Sequence, residues 1–169
     1  ATIVLCTATQ PALSESSQFK DGLENVHEII PNPPELYTAF KKVSVRSLGV
    51  VKDEELGVCL RNHEQVLCVV NTRSHARRLY EQLDCIEGRY HLSALMCPAH
   101  RTEVIKIVKD ALRYGRPCRL VSTQLIEAGV DIDFPVVYRS IAGIDSIAQA
   151  AGRCNREGLL AQNGLAYVF

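Results

Sequence analysis

The chain has 169 residues, 47% of them hydrophobic, with 19 Lys and Arg set against 19 Asp and Glu. That length buries one core, no apolar run is long enough to span a membrane, and a formal net charge of zero carries no bulk signature of a nucleic-acid binder. Seven irregularly spaced cysteines do not make a secreted disulfide framework, and residues 1–15 lack the basic start and cleavage site of a signal peptide, so a reducing cytoplasm is expected. Charge is unevenly distributed. Residues 1–65 hold 6 Lys and Arg against 9 Asp and Glu, whereas residues 66–169 hold 13 against 10, so the basic surplus lies in the second part.

In chain order, Ala1 to Leu5 is a short apolar run of the kind that forms a buried parallel strand, and Thr7 and Thr9 follow at its end, where α/β folds place ligand chemistry. Residues 11–32 are polar and read as a connector. Two segments are therefore expected, 1–30 as the last strand of a preceding domain with its linker, and 31–169 as the domain proper. Pro31, Pro33 and Pro34 lead into a strand over 42–48. Asp53-Glu54-Glu55 is read as the acidic first turn of a helix favoured by the helix dipole. A magnesium-holding box would need a Gly-x-x-x-x-Gly-Lys-Ser/Thr loop, and none occurs in these residues.

From Val66 the pattern is regular. Strands are expected over 66–70, 91–95, 119–122, 136–141 and 165–169, with helices over 73–83 and 98–114. Pro98 stands in the first turn of the second helix and Gly115 just past its end. This alternation predicts an α/β fold, a mostly parallel sheet with helices on both faces. Ligand groups should then gather where strands end, near 71–73, 123–133 and 142–145.

Two stretches carry the chemistry. Over Asp145 to Gly158 a helix would put Gln149, Gly152, Arg153 and Arg156 at i, i+3, i+4 and i+7, on one outward stripe, with Ala148, Ala150 and Ala151 packing inward. Guanidinium forks match phosphate geometry, and Gly152, costly in a helix interior, implies a close backbone approach. An Arg pair alone is better read as a solvated basic face. Val121 to Asp133 leaves a buried strand with hydroxyls at Ser122 and Thr123, passes Gly129 and ends in Asp131 and Asp133. Such groups suit phosphate and ribose, and they equally suit a loop in which the carboxylates bond local backbone. Cys85, His91, Cys97 and His100 lie within sixteen residues, but their spacing brackets a strand instead of forming a knuckle, so no metal site is expected.

Taken together, Thr7-Ala-Thr9, Val69-Val-Asn-Thr72, Ser122 to Asp131 and Gln149-Ala-Ala-Gly-Arg-Cys-Asn-Arg156 resemble, in order and spacing, the later motifs of superfamily-two helicases. With Met96-Cys-Pro-Ala-His-Arg101 added, the likeness is to the CRISPR-associated helicase-nuclease of type I systems, and it covers nearly the whole chain. The resemblance implies the second of two RecA-like motor domains, a three-layer α/β sandwich, with ATP and Mg2+ in the cleft between the two. It assigns Arg153, Arg156 and Gln149 to the triphosphate, Gly129 and Asp131 to the nucleotide, and Thr72, Arg73 and Thr123 to single-stranded DNA. Thr7 and Thr9 would couple nucleotide state to domain closure. Implied partners are the first motor domain, a nuclease domain and an RNA-guided targeting complex, in a prokaryotic cytoplasm. Because the phosphate loop, acidic box and His-Asp nuclease have no counterpart in these residues, the chain alone is expected to be inactive. Another superfamily-two enzyme, such as an RNA helicase, and a non-catalytic RecA-like module are the alternatives; the Met96 to Arg101 segment argues against the first.

Overall fold

The computed structural model describes Val4, Lys20, Gly22, Val26, His27 and residues 29–84, 86–127 and 129–169. Apart from Val4, the strand expected over 1–5 lies outside the described residues, as do Thr7, Thr9 and Cys85. Two compact units are present, Ala1–Phe40 and Lys41–Phe169. In the first, helix α1 (Pro33–Ala39) forms where only proline punctuation was expected. Its two prolines occupy the opening positions, where a missing N–H costs nothing, and Thr38 Oγ1 donates to the Pro34 carbonyl at 2.9 Å.

The second unit alternates strand and helix: β1 (Val43–Ser47), α2 (Asp53–Arg61), β2 (Gln65–Val69), α3 (Arg73–Gln82), β3 (Arg89–Leu92), α4 (Pro98–Arg113), β4 (Cys118–Ser122), β5 (Val136–Arg139), α5 (Ile144–Ala151) and β6 (Gly164–Val168). The strands form one sheet in the order β1-β6-β5-β2-β4-β3, every pairing parallel. Asp53, Glu54 and Glu55 form the acidic first turn of α2, as the sequence led us to expect.

Strand β2 lies at the centre and shows why the fold has three layers. Val66, Cys68 and Val70 pack with Leu56 and Leu60 of α2 and with Ala76 and Leu79 of α3. Leu67 and Val69, pointing the other way, pack with Val108 and Ala111 of α4 and with Ala150 of α5. Alternation along one strand thus divides the core into two clusters, one on each face of the sheet.

Two expected elements end early. Strand β3 stops at Leu92, not at 95, because its neighbour β4 ends at Ser122, in register with Leu92. Beyond that point there is no partner, and Met96 N–H turns back to the Ser93 carbonyl at 3.2 Å. Helix α5 stops at Ala151, not at 158, and Gly152 caps it. The following backbone is claimed by Phe134 instead: Phe134 N–H donates to the Arg153 carbonyl and Asn155 N–H to the Phe134 carbonyl, both at 2.9 Å. Asn155 takes a left-handed φ of 45°, and its side chain binds the Lys42 carbonyl at 3.1 Å and the Leu160 N–H at 3.2 Å. Arg153 and Arg156 therefore do not share a helical stripe. Gly152, at φ −66°, would place a Cβ no nearer than 3.4 Å to the carbonyls of Ala148 and Gln149, so the expected close approach is not there.

Glycine is required elsewhere. At Gly164, the first residue of β6, a Cβ would lie 2.5 Å from Cys154 Sγ and 2.9 Å from Asn155 Cβ. Burial pushes the Cys154 thiol up to about 12, so it stays protonated and donates to the Pro135 carbonyl at 3.3 Å. Gly164→Ala should lower stability by about 1–3 kcal/mol through overpacking, measured by urea unfolding, and an unchanged midpoint would contradict this packing. The Asp133 carboxylate accepts from the backbone N–H groups of Arg156 at 2.8 Å and Glu157 at 3.1 Å. Hydrogen exchange should show both amides losing protection in Asp133→Ala and keeping it in Asp131→Ala.

Candidate functional site

Because all six strands run the same way, their C-terminal ends share one edge of the sheet, the position at which open α/β sheets bind ligands. Residues 71–73 after β2, 123–127 after β4 and 140–145 after β5 lie there, whereas Asp133 and residues 153–156 lie beside Phe134, ahead of the start of β5, with the Arg153 side chain reaching back to the carbonyls of 126 and 127. The residues implicated by the sequence are divided between these two places.

Thr72 caps α3, its Oγ1 accepting from His75 N–H at 3.2 Å and lying 3.3 Å from Ser74 Oγ. Arg73 opens that helix and is exposed. The same helix is tied to α2 by His75 Nε2, 2.8 Å from Asp53 Oδ1, and by Arg78 Nε, 3.3 Å from Asp53 Oδ2. A helix start with an exposed threonine and arginine suits an anion. Thr123 is buried, and its N–H reaches the Leu92 carbonyl at 3.4 Å. Ser122 is fully buried and donates to the Thr123 carbonyl at 3.0 Å, so its hydroxyl is committed to the fold.

The two arginines are placed differently. Arg153 is buried, with Nε donating to the Ile126 carbonyl at 3.3 Å and Nη2 to the Glu127 carbonyl at 2.6 Å. Desolvation, and then the charge of Arg156, lower its pKa from the ordinary arginine value, while Asp131 acts in the opposite sense. Arg156 is exposed on a backbone clamped by Asp133, and its Nε lies 3.1 Å from Asp131 Oδ1. That pair is open to solvent on both sides, so it is weak and easily exchanged for another anion. The two carboxylates thus part company: Asp133 bonds backbone across the site, not locally, and Asp131 meets the arginine side chain. Gly129, at φ 72°, has nothing within 4 Å of where a Cβ would sit. Gln149 is exposed on α5.

At this edge Arg139 escaped the sequence reading, while Asn71 and Glu127 lay within the quoted stretches without a role of their own. Arg139, the last residue of β5, is 2% exposed and lies against Glu127, also buried, with Nε 2.9 Å from Oε1. Its Nη1 donates to Asn71 Oδ1 at 2.7 Å and to the Ser140 carbonyl at 2.8 Å. Asn71 Nδ2 in turn donates to the Ile141 carbonyl at 2.8 Å. An arginine closing the apolar run Val136-Val-Tyr-Arg139 was the available signal, since a charge at the buried end of a strand needs a partner. Among the described residues no group of three His, Cys, Asp or Glu side chains is arranged to hold a metal ion. No helix of the described residues is long and apolar enough to cross a membrane.

Comparison with known proteins agrees with this fold. Residues 62–159 match the family model for the CRISPR-associated nuclease/helicase Cas3, C-terminal. The chain is 48% identical over 67 residues to a CRISPR-associated nuclease/helicase Cas3 of Haloferax volcanii, covering 40% of this chain and 7% of that protein. It is 34% identical over 132 residues to the Cas3 of Methanothermobacter thermautotrophicus, covering 78% of this chain and 15% of that one. The crystal structure of T. fusca Cas3-ATP superimposes with a TM-score of 0.61 at 25% identity, over 76% of this chain and 17% of that one. The chain spans a small part of the relatives it matches. It belongs to the family of the CRISPR-associated nuclease/helicase Cas3, C-terminal, and its parallel sheet is the C-terminal RecA-like helicase domain of that superfamily-two type.

Proposed function

We propose that this chain is the C-terminal motor half of an ATP-dependent DNA helicase and translocase of CRISPR interference. In this reading residues 1–30 end a preceding RecA-like domain and 31–169 form the second, with ATP bound between the two. The observation that carries the reading is the contrast between the arginines: Arg153 is buried on two carbonyls, and Arg156 stands exposed on a braced backbone with one weak partner. An arginine held this way is preorganised to meet an incoming phosphate without reordering its main chain.

In the assembled motor, ATP with Mg2+ supplies the phosphoryl group whose transfer drives movement. Arg156 exchanges Asp131 for the γ-phosphate and stabilises charge developing there, and Gln149 is assigned to the same triphosphate. Arg153 braces that segment and adds a second positive charge. Asp131, released, is free to accept from a ribose hydroxyl, and Gly129 leaves room for the nucleotide. The described residues lack an acidic cluster for magnesium, which we assign to the first motor domain. Thr72, Arg73 and Thr123 hold phosphates of a single strand, contacts without base readout that permit sequence-independent movement. Thr7 and Thr9 link nucleotide state to closure. The RNA-guided targeting complex and a nuclease domain are the partners this implies, in a prokaryotic cytoplasm.

The test is steady-state ATP turnover with single-stranded DNA. The chain alone should be inactive, and adding the first motor domain should restore activity. There Arg156→Ala should lower turnover about 10³-fold or more while ATP binding changes little, because the charge it meets develops in the transition state. Equal losses in binding and turnover would make Arg156 a ground-state anchor, and clear turnover by the isolated chain would refute the half-motor reading. Replacing the DNA by RNA of the same sequence separates this reading from an RNA helicase.

A further inference from the structure

Arg139 lies outside the quoted motifs and Glu127, inside one of them, was given no contact, yet the buried pair they form joins both parts of the proposed site. Glu127 holds Arg139 through its side chain and Arg153 through its backbone carbonyl, at 2.6 Å. Arg139 holds Asn71 at 2.7 Å, and Asn71 immediately precedes Thr72, the cap of α3. A continuous series of contacts therefore runs from Thr72 through Asn71, Arg139 and Glu127 to Arg153, three residues before Arg156.

This series is incompletely bonded. Arg139 Nε lies near Glu127 Oε1, but off the direction of a hydrogen bond, so that contact is coulombic only. Arg139 Nη2 and Glu127 Oε1 are likewise buried without a hydrogen-bond partner among the described residues. A buried ion pair is poor evidence for stability, since apolar residues of the same volume often serve as well. Here one unpaired donor, Arg139 Nε, faces an unpaired acceptor, Glu127 Oε1, across 2.9 Å. A small rotation of the guanidinium would complete a two-pronged Arg–carboxylate pair, at the expense of the Asn71 bond. The structure holds the Asn71 arrangement, and the one with Glu127 held by both prongs is what such a rotation would reach.

We propose that Arg139 and Glu127 are positioning residues that transmit occupancy of the strand contact at Thr72 to the arginines at 153 and 156. The proposal rests on the helicase reading above and adds to it the route by which DNA stimulates turnover. Strand binding that draws Asn71 away lets Arg139 close on Glu127, which shifts the carbonyl that seats Arg153.

The experiment uses the full-length helicase and measures ATP turnover with and without single-stranded DNA. Arg139→Met combined with Glu127→Leu removes both charges together, which avoids stranding one of them in the core. The double variant should keep its basal turnover within about twofold and its melting temperature within a few degrees. Its stimulation by DNA should fall by about 5- to 150-fold, the range of ordinary coupling between sites. Arg139→Lys, which keeps the charge but lacks the fork, should lose stimulation as well. Asn71→Ala cuts the same series at an exposed side chain and decides the matter if the double variant does not fold. A merely structural pair would lower basal and stimulated turnover by the same factor, and that result overturns the proposal. Wild-type stimulation preserved in the folded variants sinks the link alone, whereas a wild-type enzyme without any stimulation sinks the helicase reading and the link with it.

Discussion

The six strands all run in one direction, and the arrangement of the site depends on that constraint. Parallel strands need crossover connections, so helices must cover both faces, and every strand delivers its C-terminal residue to the same edge. Residues as distant in sequence as Asn71, Glu127 and Arg139 become neighbours there, at separations below 3 Å. Strand β2 pays for this order with complete burial between β4 and β5: its residues 66 to 69 serve two cores at once. A charge placed in the middle of that strand would have no solvent to reach. At its end, one residue further on from Val70, polar atoms find one another.

Much of this architecture was legible in the sequence. Short apolar runs bounded by polar turns marked six strands, because a buried parallel strand has little choice of residue. The acidic first turn of α2 and the Pro98 and Gly115 limits of α4 were legible because they are local: dipole, missing N–H and left-handed φ act within a turn. What failed was tertiary. The run from Asp145 to Arg156 keeps helical spacing to its end, and nothing in those residues announces that Phe134, some twenty positions earlier, takes the backbone groups of Arg153 and Asn155. Strand β3 failed in the same way, its length being set by where β4 stops.

The site was legible as a set of residues and not as a geometry. Motif order brought Arg153, Arg156, Asp131 and Thr72 forward, but treated the arginines as equals. Burial separates them. Arg153 gives up two of its nitrogens to carbonyls and becomes part of the framework, while Arg156 keeps its guanidinium at the surface. That division is what a site for a transient charge requires: a reaching cation loses its advantage if its own backbone must be ordered during the reaction. Asp133, Asn155 and the glycine at 164 provide that order by fixing the main chain from three sides.

Arg139 carries the argument one step further. A fully satisfied buried network is rigid, and a purely apolar one is indifferent to events at the surface. The pair at 139 and 127 is neither, since it buries opposite charges at close range while leaving donors and an acceptor unspent. Its surroundings reach the surface at one end and the framework at the other: the Asn71 side chain is exposed, and the carbonyls of 126 and 127 are bonded to the buried Arg153. Against a close-packed and mainly apolar core, a small displacement of this pair changes bonding instead of merely compressing contacts.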